Sequence, residues 1–240
     1  MRRTLLAVPL VLGVSATALA DPPPAPAPAA VPAADPELAR LRAAQGHSLK
    51  WNYVPNGSSA RYGHSEAIIN APVDLVRSYV LDFAHYKDYS NGKFKTARVV
   101  DKNQGSPGTT DMYVQVPILH GMIMLWQIIR FDPIKTVAPG VEQLNGSLVR
   151  GNVKAADIRI TLRVVDPNTT VAKCDVLITP DFAAPQSAID EELRDAAQNA
   201  VDAVQFRAHK KIADDLAAAV AAGSTTPPAP PPTAVAEGPK

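Results

Sequence analysis

Along residues 65–222 the spacing of apolar positions changes from one period to another and back, and each change marks an element. An apolar run, Ala67-Ile68-Ile69, leads through Asn70-Ala71-Pro72 into a stretch where Val73, Val76, Val80 and Phe83 recur at helical spacing. Leu75 and Tyr79 widen that stripe while Asp74, Arg77 and Asp82 fall on the opposite side, the pattern of a helix with one packed face. Asn70 is placed to cap this helix and Pro72 to sit in its first turn, where no backbone donor is needed. An aromatic-rich turn with Tyr86 and Tyr89 follows.

Alternation then takes over. Residues 94–101 are rich in Thr and Val, Gly105-Ser106-Pro107-Gly108 is a strong turn signal, and 109–119 reads as the returning strand. In that strand Met112, Val114 and Val116 share one face and Asp111, Tyr113 and Gln115 the other. His120-Gly121 turns the chain into an apolar strand, 122–131, which Asp132-Pro133 stops. Residues 136–150, interrupted by Pro139-Gly140 and Asn145-Gly146, read as one irregular strand or a short hairpin. The clearest hairpin is 157–179: Ile158, Ile160, Leu162 and Val164 alternate with Arg159, Thr161 and Arg163 before the Asp166-Pro167-Asn168 turn. Ala172, Cys174, Val176 and Ile178 then alternate with Lys173 and Asp175.

From Ser187, read as a cap, to Gly223, read as a stop, one long helix is predicted. Its apolar stripe runs from Ile189 and Leu193 through Ala197, Val201, Val204 and Ala208 to Ile212, Leu216 and Val220. The predicted order is strand, helix, aromatic turn, five or six antiparallel strands and this helix. Half-buried strands need one covered face, and the last helix is the element long enough to cover them. The expected fold class is therefore α+β, a curved antiparallel β-sheet wrapped around a long C-terminal α-helix.

The ends have a different character. Residues 1–20 combine Arg2 and Arg3, an apolar stretch at 5–14, and Ala18-Leu19-Ala20, which matches a secretory signal peptide cleaved after Ala20. That stretch is much shorter than the ~20 residues that span a bilayer. Residues 21–36 are a Pro/Ala-rich linker and 223–240 a Pro-rich tail, both read as extended spacers. Residues 37–63 are a leader of unassigned structure, and 64–222 form the domain; the roughly 185 residues between the tails suffice for one buried core. The formal net charge of +1, with no basic run, gives no footprint for nucleic acid. A single cysteine, Cys174, excludes an internal disulfide framework.

The order of elements, with three local stretches, resembles the helix-grip (SRPBCC) superfamily of START-like lipid-transfer domains, birch-pollen-allergen-like proteins, polyketide cyclases and coenzyme-Q-binding proteins. The stretches are IINAPVDLVRSYVLDFAHY at 68–86, RFDPIKT at 130–136 and the long terminal helix, and the likeness covers roughly residues 64–222. It is nearest to the bacterial polyketide cyclase and coenzyme-Q-binding-like branch. Family members often carry a Trp in the first helix or the next turn, where this chain has Tyr79, Tyr86 and Tyr89. The resemblance implies an apolar cavity between sheet and terminal helix for a lipid, isoprenoid, sterol or aromatic ligand.

Met112, Val114, Met122, Met124 and Trp126 are the residues of the central strands expected to line that cavity, since thioethers adapt to irregular apolar shapes. Ile160 and Leu162, Cys174 and Val176 from the later hairpin, and Leu193 and Val204 from the helix, complete the expected lining. The opposing reading is that all of them merely fill a core. The histidines His47, His64, His85, His120 and His209 lack ligand spacing, so no metal or cofactor is expected, and no nucleophile elbow or phosphate loop occurs. Asp111, Tyr113, His120 and Arg130 are the polar groups a cyclase-type enzyme could use. The expectation is an exported, periplasmic or extracellular carrier of a hydrophobic small molecule, with no catalytic residues assigned. The alternatives are a polyketide cyclase/aromatase-like enzyme and an envelope interaction module whose Pro-rich tails bind a protein partner. Transient contact with a membrane surface is compatible with the carrier reading.

Overall fold

The computed structural model describes residues 35–90, 92–103, 105–119 and 121–222. The expected signal peptide, the Pro-rich tail, nearly all of the Pro/Ala linker, His120 and the Gly223 stop lie outside the described residues. The order of elements is α1 (Pro36–Ala43), β1 (Leu49–Tyr53), β2 (Tyr62–Ile69), α2 (Val73–Val80), a 3-10 turn (Phe83–His85), α3 (Tyr86–Tyr89), β3 (Thr96–Lys102) and β4 (Thr110–Ile118). It continues with β5 (Ile123–Phe131), β6 (Lys135–Ala138), β7 (Val141–Gly151), β8 (Val153–Asp166), β9 (Thr169–Pro180) and α4 (Gln186–Ala221). Among the described residues these strands make one antiparallel sheet in the order β1-β2-β9-β8-β7-β5-β4-β3, with β6 continuing the line of β5 along β7.

The region expected as one irregular strand or a short hairpin is the β6–β7 hairpin, turned at Pro139-Gly140 with Gly140 at positive φ. The leader is structured and belongs to the sheet. Asp35 caps α1 by accepting from the N–H groups of Glu37 and Leu38 at 3.0 and 3.2 Å, Pro36 opens the helix, and β1 adds an edge strand to β2. Two expected caps are not used. Pro72 itself is the extended residue before α2, which displaces Asn70 from capping position, and Pro185 does the same before α4, placing Ser187 inside the helix. A bidentate Arg77–Glu142 pair, at 2.6 and 2.5 Å, ties α2 to the start of β7.

The face of the sheet toward α4 carries the core. Gly63, Ser65, Ala67 and Ile69 of β2 face the helix, and small side chains there let α4 lie close. An ideal Cβ on Gly63 would sit 2.2 Å from the carbonyl carbon of Leu193. Leu193, Ala197, Val201, Val204 and Ala208 are the buried residues of α4, and they join Met112, Val114, Leu144, Leu162 and Cys174 in one cluster. A second cluster at the far end of the sheet joins Ile118, Leu125 and Val153 to Leu119, Ile123 and Phe182. The expected α4 stripe is only partly covered: Ile212, Leu216 and Val220 are exposed, because the helix outruns the sheet beyond Ala208.

The opposite face is covered at one side by α1, which buries Leu41 and is held by charge more than by apolar area. Arg40 pairs with the buried Glu66, Arg163 donates to Asp35 and Glu37 at 2.9 and 3.2 Å, and Lys173 reaches Glu37 at 2.9 Å. Inside this network the His64 ring lies 2.6 Å from Asp175 through Nδ1, with Trp51 against it at 4.2 Å between centroids.

Candidate functional site

Alternation on β4, β8 and β9 puts the expected lining residues Met112, Val114, Ile160, Leu162, Cys174 and Val176 on the concave face, where Leu193 and Val204 of α4 meet them. The remaining three are not there. On β5 the buried phase is Leu125, Gln127, Ile129 and Phe131. Trp126 pairs with Gln115 and Met124 with Pro117, so both lie on the outer face, and Met122 precedes the strand at 79 % exposure. The sequence from Met122 to Ile129 is apolar in both phases, so its period alone could not choose the face; the register with β4 does.

Among the described residues the side chains between the sheet and α4 pack closely around one small gap. The gap left between Val80, Ile160, Ala172, Cys174, Val201 and Val204 measures about 10 Å³, at or below the ~10–15 Å³ that one water needs. Two buried polar atoms in this apolar setting, Ser65 Oγ and Gln127 Oε1, make no hydrogen bond among the described residues. Unpartnered buried acceptors of this kind cost about 1–3 kcal/mol each. Sequence reading did not single out either residue, although Gln127 is a lone polar side chain in a strand of apolar ones.

A much larger volume lies at the rim. Leu81, Phe83 and Ala84, which follow α2 into the 3-10 turn, face Val99 on β3 and Pro133-Ile134 across a cleft of about 500 Å³. Asp82, Lys102, Thr110 and Asp132 supply its polar edge. The cleft borders the core, because the Phe83 ring on its wall stacks on Phe131 at 4.7 Å and Phe131 belongs to the main cluster. It lies beside the DPI break at 132–134, where Pro133 cannot donate to the ladder and the strand line is interrupted between β5 and β6. A volume in the ~300–1,000 Å³ range is typical of small-molecule sites.

No family model and no curated protein matches this sequence. Solved structures do match its fold. A STAR-related lipid transfer protein from Xanthomonas axonopodis superposes with a TM-score of 0.56 at 12 % identity, covering 68 % of this chain and 93 % of that one. Human StAR-related lipid transfer protein 5 gives 0.53 at 10 % identity, covering 73 % and 92 %. A START superfamily protein from Mycobacterium smegmatis gives 0.50 at 17 % identity, covering 62 % and 97 %. This is a START-like helix-grip fold.

Within this START-like fold Asp111 and Arg130, two of the four polar candidates for catalysis, pair with each other. Arg130 donates twice to Asp111, at 2.8 Å each, on the outer face, and Tyr113 lies beside Trp126 there with Arg98 over its ring. The Asp111 pair raises the Arg130 guanidinium above its ordinary range. Cys174 is completely enclosed, and burial pushes its thiol far up, which makes it a packing residue rather than a nucleophile. Among the described residues no group of His, Cys, Asp and Glu side chains could hold a metal ion, and no helix is long and apolar enough to cross a membrane.

Proposed function

We propose that the protein is an exported carrier that binds a hydrophobic small molecule, a lipid, isoprenoid, sterol or aromatic compound, without transforming it. The observation that carries the reading is the cleft at Phe83, Val99 and Ile134, which opens beside the apolar core of a START-like fold. Two of the similar structures are named lipid transfer proteins, which supports the same ligand class. Export rests on the pattern of residues 1–20. Carriage is favoured over a cyclase activity because Asp111 and Arg130 are paired to each other on the outer face of the sheet.

The ligand's apolar end sits against Phe83, Val99 and Ile134, and any polar end lies at the rim beside Thr110 and Lys102. Burying ~300 Å² of apolar ligand surface contributes about 7 kcal/mol before the costs of association, which corresponds to micromolar or weaker binding. The test is titration of the protein with an apolar fluorophore such as 1-anilinonaphthalene-8-sulfonate, followed by displacement with a fatty acid, an isoprenoid alcohol and a sterol. Saturable binding, displaced by one class and weakened about tenfold by Ile134→Asp but not by the exposed Val137→Asp, is expected. Binding that is not saturable, or is equal in all three proteins, would overturn the proposal.

A further inference from the structure

Five arginines among the described residues are half-buried, and four of them have polar partners. Arg77 holds Glu142, Arg130 holds Asp111, Arg163 holds Asp35 and Glu37, and Arg194 donates to Asn52 at 2.7 Å. The fifth, Arg207 of α4, makes no hydrogen bond or ion pair among the described residues, although its Nε is buried. Its guanidinium lies instead on the Tyr89 ring, 4.0 Å from the centroid. That ring is itself pinned, since its hydroxyl donates to Asp82 and Tyr79 meets it edge-on at 6.2 Å. With Nε sealed and the plane against the ring, the Nη1 and Nη2 edge of the fork is the one open to solvent. Lys211 follows one turn along the same side of α4, about 40° round the helix, and is within electrostatic range of Tyr79. The Tyr79 hydroxyl has no hydrogen-bond partner among the described residues. The acidic groups nearby are engaged: Asp82 by Tyr89 and His85, Asp214 by Lys210, and Asp215 by Lys211 at 2.6 Å.

We propose that Arg207, Tyr79 and Lys211 form a binding site for a phosphate group where α4 meets α2 and α3. The guanidinium fork takes two oxygens, the Tyr79 hydroxyl donates to a third, and the Lys211 ammonium, on its flexible stem, turns from Asp215 to offset the remaining charge. A carboxylate would be filled by the fork alone and leave the phenol and the ammonium idle; a phosphate uses all three. The site is separate from the cleft, whose one residue in touch with it is Asp82, reached through the Tyr89 hydroxyl. Asp82 and Asp215 oppose an incoming anion and the fork is open to water, so binding is weak, with a Kd of about 1 mM. A phospholipid head group and inorganic phosphate present the same chemistry to these donors.

The experiment is a titration of the full chain with sodium phosphate, followed by NMR at an ionic strength held constant with sodium chloride. The Arg207 Nε–H and the backbone amides of 86–90 and 204–211 are expected to shift and saturate with a midpoint near 1 mM. Arg207→Gln should abolish the saturation, and Tyr79→Phe, which keeps the ring packing, should weaken it about three- to tenfold. Arg98→Gln, whose guanidinium lies over Tyr113 on the outer face of the sheet, should leave it unchanged. Flotation on phosphatidylcholine vesicles with and without phosphatidic acid separates the two sources. Binding to the acidic vesicles that Arg207→Gln removes assigns the phosphate to a lipid head group, and saturation by inorganic phosphate without vesicle binding assigns it to the free ion. Shifts that stay linear in phosphate, that are equal in Arg207→Gln and Arg98→Gln, or that acetate reproduces at the same concentration would each overturn the proposal.

Discussion

Gly63 is where the grip of sheet on helix is tightest, and adding one methyl group there should force the two apart. The new Cβ of Gly63→Ala would lie 2.2 Å from both the carbonyl carbon and oxygen of Leu193 and 2.6 Å from the Arg194 nitrogen. These are backbone atoms of α4, so no side chain can swing aside, and the helix must move by roughly 1.2–1.8 Å to restore ordinary contact. That movement loosens Leu193 and Ala197 against the concave face. Overpacking of this kind costs about 1–3 kcal/mol, and a clash with backbone belongs at the upper end. For a domain of this size, about 3 kcal/mol lowers Tm by roughly 6–12 °C. Thermal denaturation followed by circular dichroism reads it, with Gly46→Ala as the comparison. Gly46 has positive φ and nothing within 4 Å of its Cβ, so it should lose only the roughly 1 kcal/mol of left-handed strain. Equal destabilisation of the two variants would refute the close-approach argument.

Other outcomes follow from the two faces of the sheet. Met112→Ala, in the core, should cost about 2–5 kcal/mol in urea denaturation, whereas Met124→Ala, half-buried on the outer face, should cost less than about 1 kcal/mol. The reverse order would mean the β4–β5 register is wrong. At His64 burial opposes the charge, but the hydrogen bond to Asp175 and the Glu66 carboxylate 3.6 Å away outweigh it and raise the pKa above the ordinary value. The charged ring therefore stabilises the fold fully below about pH 6.5, and this contribution is lost as pH rises through the folded-state value. Urea midpoints should fall between about pH 6 and pH 9 in the wild type and change less in His64→Gln; parallel profiles would remove His64 from the account. Glu37→Gln weakens the contacts to both Arg163 and Lys173, and should raise amide exchange in α1 without changing exchange in β8 and β9.

What was legible in the chain was local. The Ile158–Leu162 and Ala172–Val176 alternations each have one apolar and one polar phase, so both the hairpin and its inward face could be read directly. The strand containing Met124 and Trp126 has two apolar phases, and its outward face packs Trp126 near Tyr113, so polarity carried no information about direction. The leader was opaque for a different reason. Only Leu41 of α1 is buried, and the helix is held by Glu37 and Arg40 reaching partners as distant as Lys173 and Glu66. The cleft draws Leu81, Val99 and Ile134 from three separated segments, and the packing beneath α4 depends on how side chains interdigitate. Neither is a property of spacing along one element.

The central claim is that this START-like domain holds a hydrophobic molecule, and native mass spectrometry of the full chain purified from a cell-envelope lysate tests it most directly. The account predicts a discrete added mass that organic solvent releases and that Ile134→Asp depletes in a still-folded protein. A chain that carries no added mass, and stays empty when offered lipids, isoprenoids, sterols and aromatic compounds, would contradict it.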